Sequence, residues 1–286
     1  MTITTPRPST PGAARQRRGR KGSAPDTPPE PRSRTRAAIG VGSLRRDRWW
    51  LQPMVTVLVL LAFVVYGTWA AFRNGHYFAD PYLSPFYSPC LSSSCVDGYT
   101  PEFLGQWWPL SPALLILPFP LGFRLTCYYY RKAYYRSFWL SPPACAVPDV
   151  HRKYTGERRI PLIFQNVHRY FFYLAVPFAA LLTYDAVRAF DFPKGIGVGI
   201  GTGFLVVNAV LIWLYTLSCH SCRHLCGGKL RRLSEHPLRA RMWRFVSKLN
   251  TRHMTLAWAS LIWIGVTDLY IWLVAAGHLT DHAWVF

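Results

Sequence analysis

Long apolar segments alternate with polar connections after the first fifty residues of the chain. The segments cover residues 50–72, 109–130, 162–190, 197–217 and 254–276. Each approaches or exceeds the ~20 residues that a helix needs to cross the hydrocarbon core of a bilayer. Prolines within the second and third segments are compatible with this, because membrane helices tolerate kinks better than soluble helices do. The pattern predicts an all-α integral membrane bundle of five transmembrane helices.

Residues 1–49 have a different pattern. They are rich in Pro, Gly, Ser, Thr and Arg, and large apolar residues are almost absent before Trp49. Such a segment cannot bury enough apolar surface to offset its chain entropy, so we predict a disordered basic tail. The first 30 residues also lack the apolar core of a signal peptide. The expected domains are therefore the tail, residues 1–49, and a five-helix membrane domain, residues 50–286.

The basic charge of the chain follows the alternation of the loops. The net charge is +20, from 33 Lys and Arg against 13 Asp and Glu, and a charge of this size is also typical of nucleic-acid binders. However, residues 1–49, 131–161 and 218–253 hold 12, 7 and 9 of the basic residues, which is 28 of the 33. The positive-inside rule then predicts a multi-pass protein of the cell membrane with a cytoplasmic N-terminus and an extracellular C-terminus. The charge therefore indicates membrane topology and no nucleic-acid partner.

The seven cysteines divide between the two predicted sides of the membrane. Cys90 and Cys95 lie in the outer loop, on the oxidising face, so we predict a short-loop disulfide between them. The other five lie at the cytoplasmic end, where disulfides are disfavoured. They are Cys127, Cys145, Cys219, Cys222 and Cys226.

The densest cluster of metal-ligating residue types is the run LSCHSCRHLCGGK at the end of the fourth segment. On a helix His220 and His224 share a face and can chelate one metal ion, whereas the cysteines of the run lie on the neighbouring face. Thiols and imidazoles together suit zinc or an iron–sulfur centre. Because one straight helix cannot direct all these groups at one cluster, either the helix end unwinds near Gly227 and Gly228, or Cys127 and Cys145 supply thiolates from neighbouring segments. The candidate metal ligands are Cys219, His220, Cys222, His224, Cys145, Cys127 and Cys226.

Further candidates lie at the ends and within the predicted helices. His168 and His220 could hold a single haem near the cytoplasmic end.

Asp268 and Asp185 fall in the outer halves of their helices, where a charged residue is a functional candidate by default. The simpler alternative for Asp185 is an ion pair with Arg188.

Three stretches of the chain are similar to a known family. They are FRLTCYYYRKAYYRSFWLSPPACAV, NVHRYFFYLAVPFAALLTYDAVRAF and LYTLSCHSCRHLCGGKL. They resemble the membrane-anchor subunit of actinobacterial succinate dehydrogenases, and the resemblance covers roughly residues 48–286. It implies partnership with a flavoprotein and an iron–sulfur subunit on the cytoplasmic face, and transfer of electrons from succinate to membrane menaquinone. The resemblance leaves a higher oligomer of the complex open.

The resemblance is greatest to a haem-less branch whose anchor carries a membrane-embedded Rieske-type [2Fe–2S] cluster, since the first two predicted helices contain no histidine. In such a centre two histidines bind one iron, which makes His220 and His224 the firmer pair, with His168 and His253 as the next candidates. His253, Arg169, Asp268 and Asp185 are the candidates for a quinone or proton pathway. Two alternatives remain: a b-type haem anchor that uses His168 and His220, and a membrane scaffold with a structural zinc site. In none of these interpretations does the chain itself carry the site for succinate chemistry.

Overall fold

The structure is a computed structural model that describes residues 45–92, 95, 107–141, 144–147, 162–228 and 230–286. Nearly all of the predicted tail lies outside the described residues. The α-helices in the described part are α1 (Leu51–Arg73), α2 (Pro112–Ile116), α3 (Pro118–Thr126), α4 (Tyr128–Ala133), α5 (His168–Arg188), α6 (Ile200–Leu217), α7 (His220–Gly227), α8 (Pro237–Asn250) and α9 (His253–Ala275). A π-helical turn, Tyr134–Phe138, follows α4, and 3₁₀ turns occupy Leu162–Val167 and Leu233–Glu235.

Four helices of the described chain are long and apolar enough to cross a membrane. They are α1, α5, α6 and α9, and they coincide with the first, third, fourth and fifth predicted segments. Helix α5 continues through Pro177 without a break. The protein is therefore a mostly helical, multi-pass membrane protein.

The second predicted segment, residues 109–130, differs from the expectation because it is not one continuous helix. Pro112 and Pro118 lie in the first turns of α2 and α3, where a missing backbone N–H is not needed for the helix. Cys127 then has an extended backbone that separates α3 from α4. Together α2 and α3 extend about 22 Å at 1.5 Å per residue, which is shorter than the hydrocarbon core.

The helices arrange the chain into a bundle with two unlike ends. One end carries the start of α1, the end of α3, the starts of α5 and α9, and the helices α7 and α8; we call it the basic end. At the other end, short antiparallel strands connect the helices; we call it the strand end. The strands are β1 (Phe78–Ala79) paired with β2 (Tyr82–Leu83), and the sheet β3 (Asp191–Phe192), β4 (Gly195–Gly199) and β5 (Ala283–Val285), in that order.

Helix α6 packs between α5 and α9, and α3 packs against α5. Helix α1 lies at the edge of the bundle and exposes large apolar side chains such as Leu58 and Val65. Exposed apolar side chains in such a helix are suited to contact with lipid. The bundle thus buries a core in α5, α6 and α9.

At the strand end the segment from Tyr82 to Ser88 is buried although it forms only one short strand. The Tyr82 hydroxyl donates a hydrogen bond of 2.6 Å to Asp281. Cys90 and Cys95 are joined by a disulfide next to this segment. Irregular backbone of this kind is tolerated at membrane depth where protein buries it.

Candidate functional site

Two cysteines and two histidines meet at the basic end because four helix boundaries converge there. His168 is the first residue of α5 and His253 is the first residue of α9. Cys127 lies between α3 and α4, and Cys219 lies between α6 and α7; both have an extended backbone. The breaks in the helices turn the two thiols into the bundle, towards the starts of α5 and α9.

The four side chains form two thiol–imidazole pairs. The Sγ of Cys127 lies 3.4 Å from Nε2 of His253. The Sγ of Cys219 lies 3.2 Å from Nε2 of His168. In both pairs the imidazole therefore presents the same nitrogen, Nε2, to a thiol.

Each imidazole is also held from its other side. The Nδ1 of His168 lies 2.8 Å from Oγ1 of Thr126, and the ring of His168 stacks on Phe123 at 4.8 Å. These contacts fix the plane of the ring as well as its position.

His253 has the equivalent environment. Its Nδ1 lies 2.7 Å from Oγ of Ser218, and its ring stacks on Tyr215 at 5.2 Å. The Tyr215 ring in turn lies beneath the Arg124 guanidinium. Arg124 is buried, and its guanidinium donates to Ser260 and Tyr130 at 2.7 and 3.0 Å.

The thiols are shielded from solvent. Cys127 and Cys219 are each 1% exposed. Burial raises the pKa of the Cys219 thiol to about 11, although the Ser221 N–H donates to its sulfur at 3.4 Å. A bound metal would therefore displace the thiol proton, because the thiolate is the form that ligates metals.

The predicted metal run separates into different environments. His220 is exposed, and His224 contacts the Arg169 guanidinium at 3.3 Å. Cys222 and Cys226 are buried in α7, where burial and the neighbouring Cys226 raise the pKa of Cys222 to about 12.

Within that run, only Cys219 makes one of the two thiol–imidazole contacts described above. Cys145 is exposed, outside the buried pairs. The geometry therefore brings together Cys127, Cys219, His168 and His253 rather than His220 and His224.

The arrangement of the four side chains determines which kind of metal site they fit. Among the described residues, no group of three or more His, Cys, Asp or Glu side chains is arranged to enclose one metal ion. Two thiols and two imidazoles in two separate pairs nevertheless match the ligand types of a mixed Cys/His iron–sulfur centre. The residues fit a two-iron cluster better than a single tetrahedral ion, which needs four donors around one point.

A largely apolar cavity of about 600 Å³ lies beside this cluster of side chains. Its polar wall contains Arg124, Thr126 and Tyr130, and Thr126 is the residue that contacts His168. Arg131 also lines the cavity, and the remaining wall is mostly aliphatic and aromatic. It includes Leu61, Leu121, Tyr134, Phe138, Trp139 and Phe171.

The intramembrane carboxylates predicted for a quinone or proton pathway lie elsewhere, towards the strand end. Asp268 is buried and accepts hydrogen bonds from Tyr66, Arg73 and Ser84. It lies about 22 Å along α9 from His253. Asp185 is also buried, and its Oδ2 has no hydrogen-bond partner within the described part of the chain. Of the four pathway candidates, only His253 belongs to the paired cluster.

All four paired residues were candidates from the sequence. Cys127 and Cys219 were predicted as metal ligands, whereas His168 was a haem candidate and His253 a pathway candidate, with both histidines second to His220 and His224 as cluster ligands. Thr126, Ser218 and Tyr215 were not singled out from the sequence. Nothing in the spacing of these residues shows that they meet. A usable signal was that His168 and His253 each open an apolar helix next to an arginine, at the same predicted depth.

Comparison with known proteins places the chain in a family. Residues 51–277 match the family described as actinobacterial succinate dehydrogenase subunit SdhC. A solved structure, the Mycobacterium smegmatis Sdh1 complex in the apo form, contains a chain that is 53% identical, with a TM-score of 0.81 over 89% of this chain and 98% of that one. No curated protein matches. The family match and the apolar helices together show that the protein belongs to the actinobacterial succinate dehydrogenase subunit SdhC family, as a membrane-anchor subunit.

Proposed function

We propose that this subunit passes electrons to a membrane quinone of the menaquinone class through a [2Fe–2S] cluster held by Cys127, His168, Cys219 and His253. The observation that carries the proposal is the pairing of two buried thiols with the Nε2 atoms of two imidazoles at one end of the bundle. When bound, the cluster would supply a one-electron relay within the membrane. Mixed Cys/His ligation raises the potential of such a cluster relative to cysteine ligation alone, which suits transfer to a quinone.

The residues around the cluster site would exclude water and fix the ligands. The thiols are buried, and the stacked rings of Phe123 and Tyr215 cover the two imidazoles. A site of this kind keeps its ligands in one arrangement during electron transfer, since few groups are free to move. It also shields the ligands from exchange with solvent.

The cavity beside Thr126 is suited to the quinone. Its apolar wall matches a quinone ring and isoprenoid tail, and the Arg124 guanidinium in its polar wall supplies N–H donors for a quinone oxygen. Quinone reduction consumes two electrons and two protons, and the two electrons released by oxidation of succinate to fumarate balance it. The contact between Thr126 and His168 puts the cavity directly against a proposed ligand.

The partners follow from the family and the neighbouring structure. We infer that the basic end faces the cytoplasm and docks the iron–sulfur and flavoprotein subunits, because 28 of the 33 basic residues belong to the tail and loops on that side. Electrons would then arrive at the end of the bundle where the four paired residues lie.

The iron, sulfide, haem and zinc content of the purified complex distinguishes the proposed cluster from the haem and zinc alternatives. The haem alternative needs His168 and His220, but His220 is exposed. The zinc alternative needs donors around one point, and none of the described groups is so arranged. We expect iron and acid-labile sulfide beyond the content of the soluble subunits, without a haem α band and without stoichiometric zinc. A sharp reduced α band, or zinc in place of the additional iron, would overturn the cluster.

A further inference from the structure

We propose that Thr126 and Ser218 are positioning residues that hold His168 and His253 in the tautomer that ligates a metal through Nε2. The proposal rests on the proposed function, because it takes the two histidines as ligands. It concerns hydroxyl groups that would not contact the metal. It follows from the fact that each hydroxyl has one hydrogen, which a backbone carbonyl already accepts.

The Thr126 hydroxyl has only one hydrogen to donate. Its Oγ1 lies 2.7 Å from the Gly122 carbonyl, which can only accept, and 2.8 Å from Nδ1 of His168. With its hydrogen given to the carbonyl, the hydroxyl oxygen must accept from the imidazole. The hydrogen of neutral His168 therefore lies on Nδ1, and the lone pair lies on Nε2.

The same hydrogen-bond argument applies to Ser218. Its hydroxyl donates to the Tyr215 carbonyl at 2.8 Å and lies 2.7 Å from Nδ1 of His253. The Tyr215 carbonyl is in the last turn of α6, where carbonyls lack the usual amide donor. The Cys219 N–H, which would be that donor, instead donates to the Thr216 carbonyl. The Ser218 hydrogen is thus engaged, and its oxygen accepts from His253.

Both imidazoles consequently direct an Nε2 lone pair towards a cysteine sulfur. The two sites are built from different helices, yet each combines a hydroxyl on Nδ1 with an aromatic ring stacked on the imidazole. Partners of this kind orient a ligand and raise its basicity, and their loss typically costs 10–100-fold in metal affinity. We expect the hydroxyls to stabilise the oxidised cluster and to retain its iron.

The test uses Thr126→Val and Ser218→Ala in the intact purified complex. Thr126→Ser keeps the hydroxyl and serves as the conservative variant. Thr267→Val is the matched control, because the Thr267 hydroxyl is buried and donates to the Trp263 carbonyl at 2.9 Å in the same manner. The measurements are iron and sulfide per flavin, release of iron to a chelator, and the midpoint potential of the membrane cluster by paramagnetic resonance titration.

We expect Thr126→Val and Ser218→Ala to release iron about tenfold more readily and to have a more positive midpoint potential, because a less basic ligand stabilises the oxidised cluster less. Thr126→Ser should restore both values, and Thr267→Val should match the wild type. Unchanged values in Thr126→Val and Ser218→Ala, together with loss of the cluster in His168→Ala, would overturn the positioning role and leave the ligand set intact. A cluster that persists in His168→Ala would overturn the ligand set and this inference with it.

Discussion

The Nη2 of Arg73 lies 2.9 Å from Oδ1 of Asp268, and this ion pair joins the end of α1 to the strand-end half of α9 with both side chains buried. The Tyr66 and Ser84 hydroxyls donate to the same carboxylate. The Arg73 guanidinium also lies over the Trp69 ring at 4.8 Å. Helix α1 also packs against the π-helical turn and α2, and the ion pair is its buried polar link to α9.

Asp268→Asn should destabilise the subunit strongly. The substitution keeps the shape of the side chain but leaves the Arg73 charge buried without its partner, and breaking a buried pair in this way typically costs about 3–5 kcal/mol. Unfolding of the purified complex in detergent, followed by the loss of helical signal, measures the effect. Glu235→Gln is the control, since the Arg232–Glu235 pair is exposed. Equal stability of the two variants would contradict a stabilising role for the buried pair.

A side chain at Gly122 should disturb the contact between α3 and α5. A Cβ at this position would lie 2.2 Å from Cε1 of Phe171. Gly122→Ala must therefore displace the Phe171 ring, and overpacking of this kind typically costs about 1–3 kcal/mol. Gly203→Ala is the matched control, because a Cβ there meets nothing within 4 Å and alanine favours the helix. A thermal midpoint for Gly122→Ala at or above that of Gly203→Ala would show that α3 and α5 are less tightly packed than described.

The distribution of basic residues makes a prediction about topology. Reporter fusions after residue 230 should report a cytoplasmic location, and fusions after residue 286 should report an external one, since positive loops remain inside. Single-site labelling of the intact protein provides a second measurement. A cytoplasmic report at residue 286 would contradict the orientation of the bundle and the assignment of the basic end.

Filling the cavity should weaken quinone binding without affecting the cluster. Leu61 lines the cavity, whereas Leu58 on the same helix is exposed outside it. We expect Leu61→Trp to raise the KM for quinone about tenfold, which corresponds to about 1.4 kcal/mol of binding energy. Leu58→Trp should leave the KM unchanged, and both variants should keep wild-type succinate oxidation with a phenazine acceptor. A raised KM in Leu58→Trp alone would place the quinone elsewhere.

The sequence was sufficient to predict the long helices but not the break in the second segment. The helices α1, α5, α6 and α9 are continuous apolar stretches, and a stretch of that length predicts a membrane-spanning helix. No proline or glycine lies within four residues of Cys127. Its extended backbone therefore follows from packing of α3 and α4 rather than from local composition.

The two thiol–imidazole pairs were not predicted from the sequence for a similar reason. The dense run around His220 and His224 is close in sequence, whereas Cys127 and His253 are 126 residues apart and meet only through the bundle. Density in sequence therefore favoured residues of one short helix, although a cluster requires side chains that approach from several directions. His168 and His253 were recognisable as helix-end histidines, but their shared depth did not reveal their thiol partners.

The most direct test of the ligand set is paramagnetic resonance of the reduced intact complex from two pairs of variants. His168→Ala and His253→Ala remove proposed ligands, whereas His220→Ala and His224→Ala remove the histidines of the α7 run. The clusters of the soluble subunits provide an internal standard in every sample. We predict that the signal of the membrane cluster is lost in the first pair and retained in the second. Retention in the first pair with loss in the second would contradict the account and return the cluster to the α7 run.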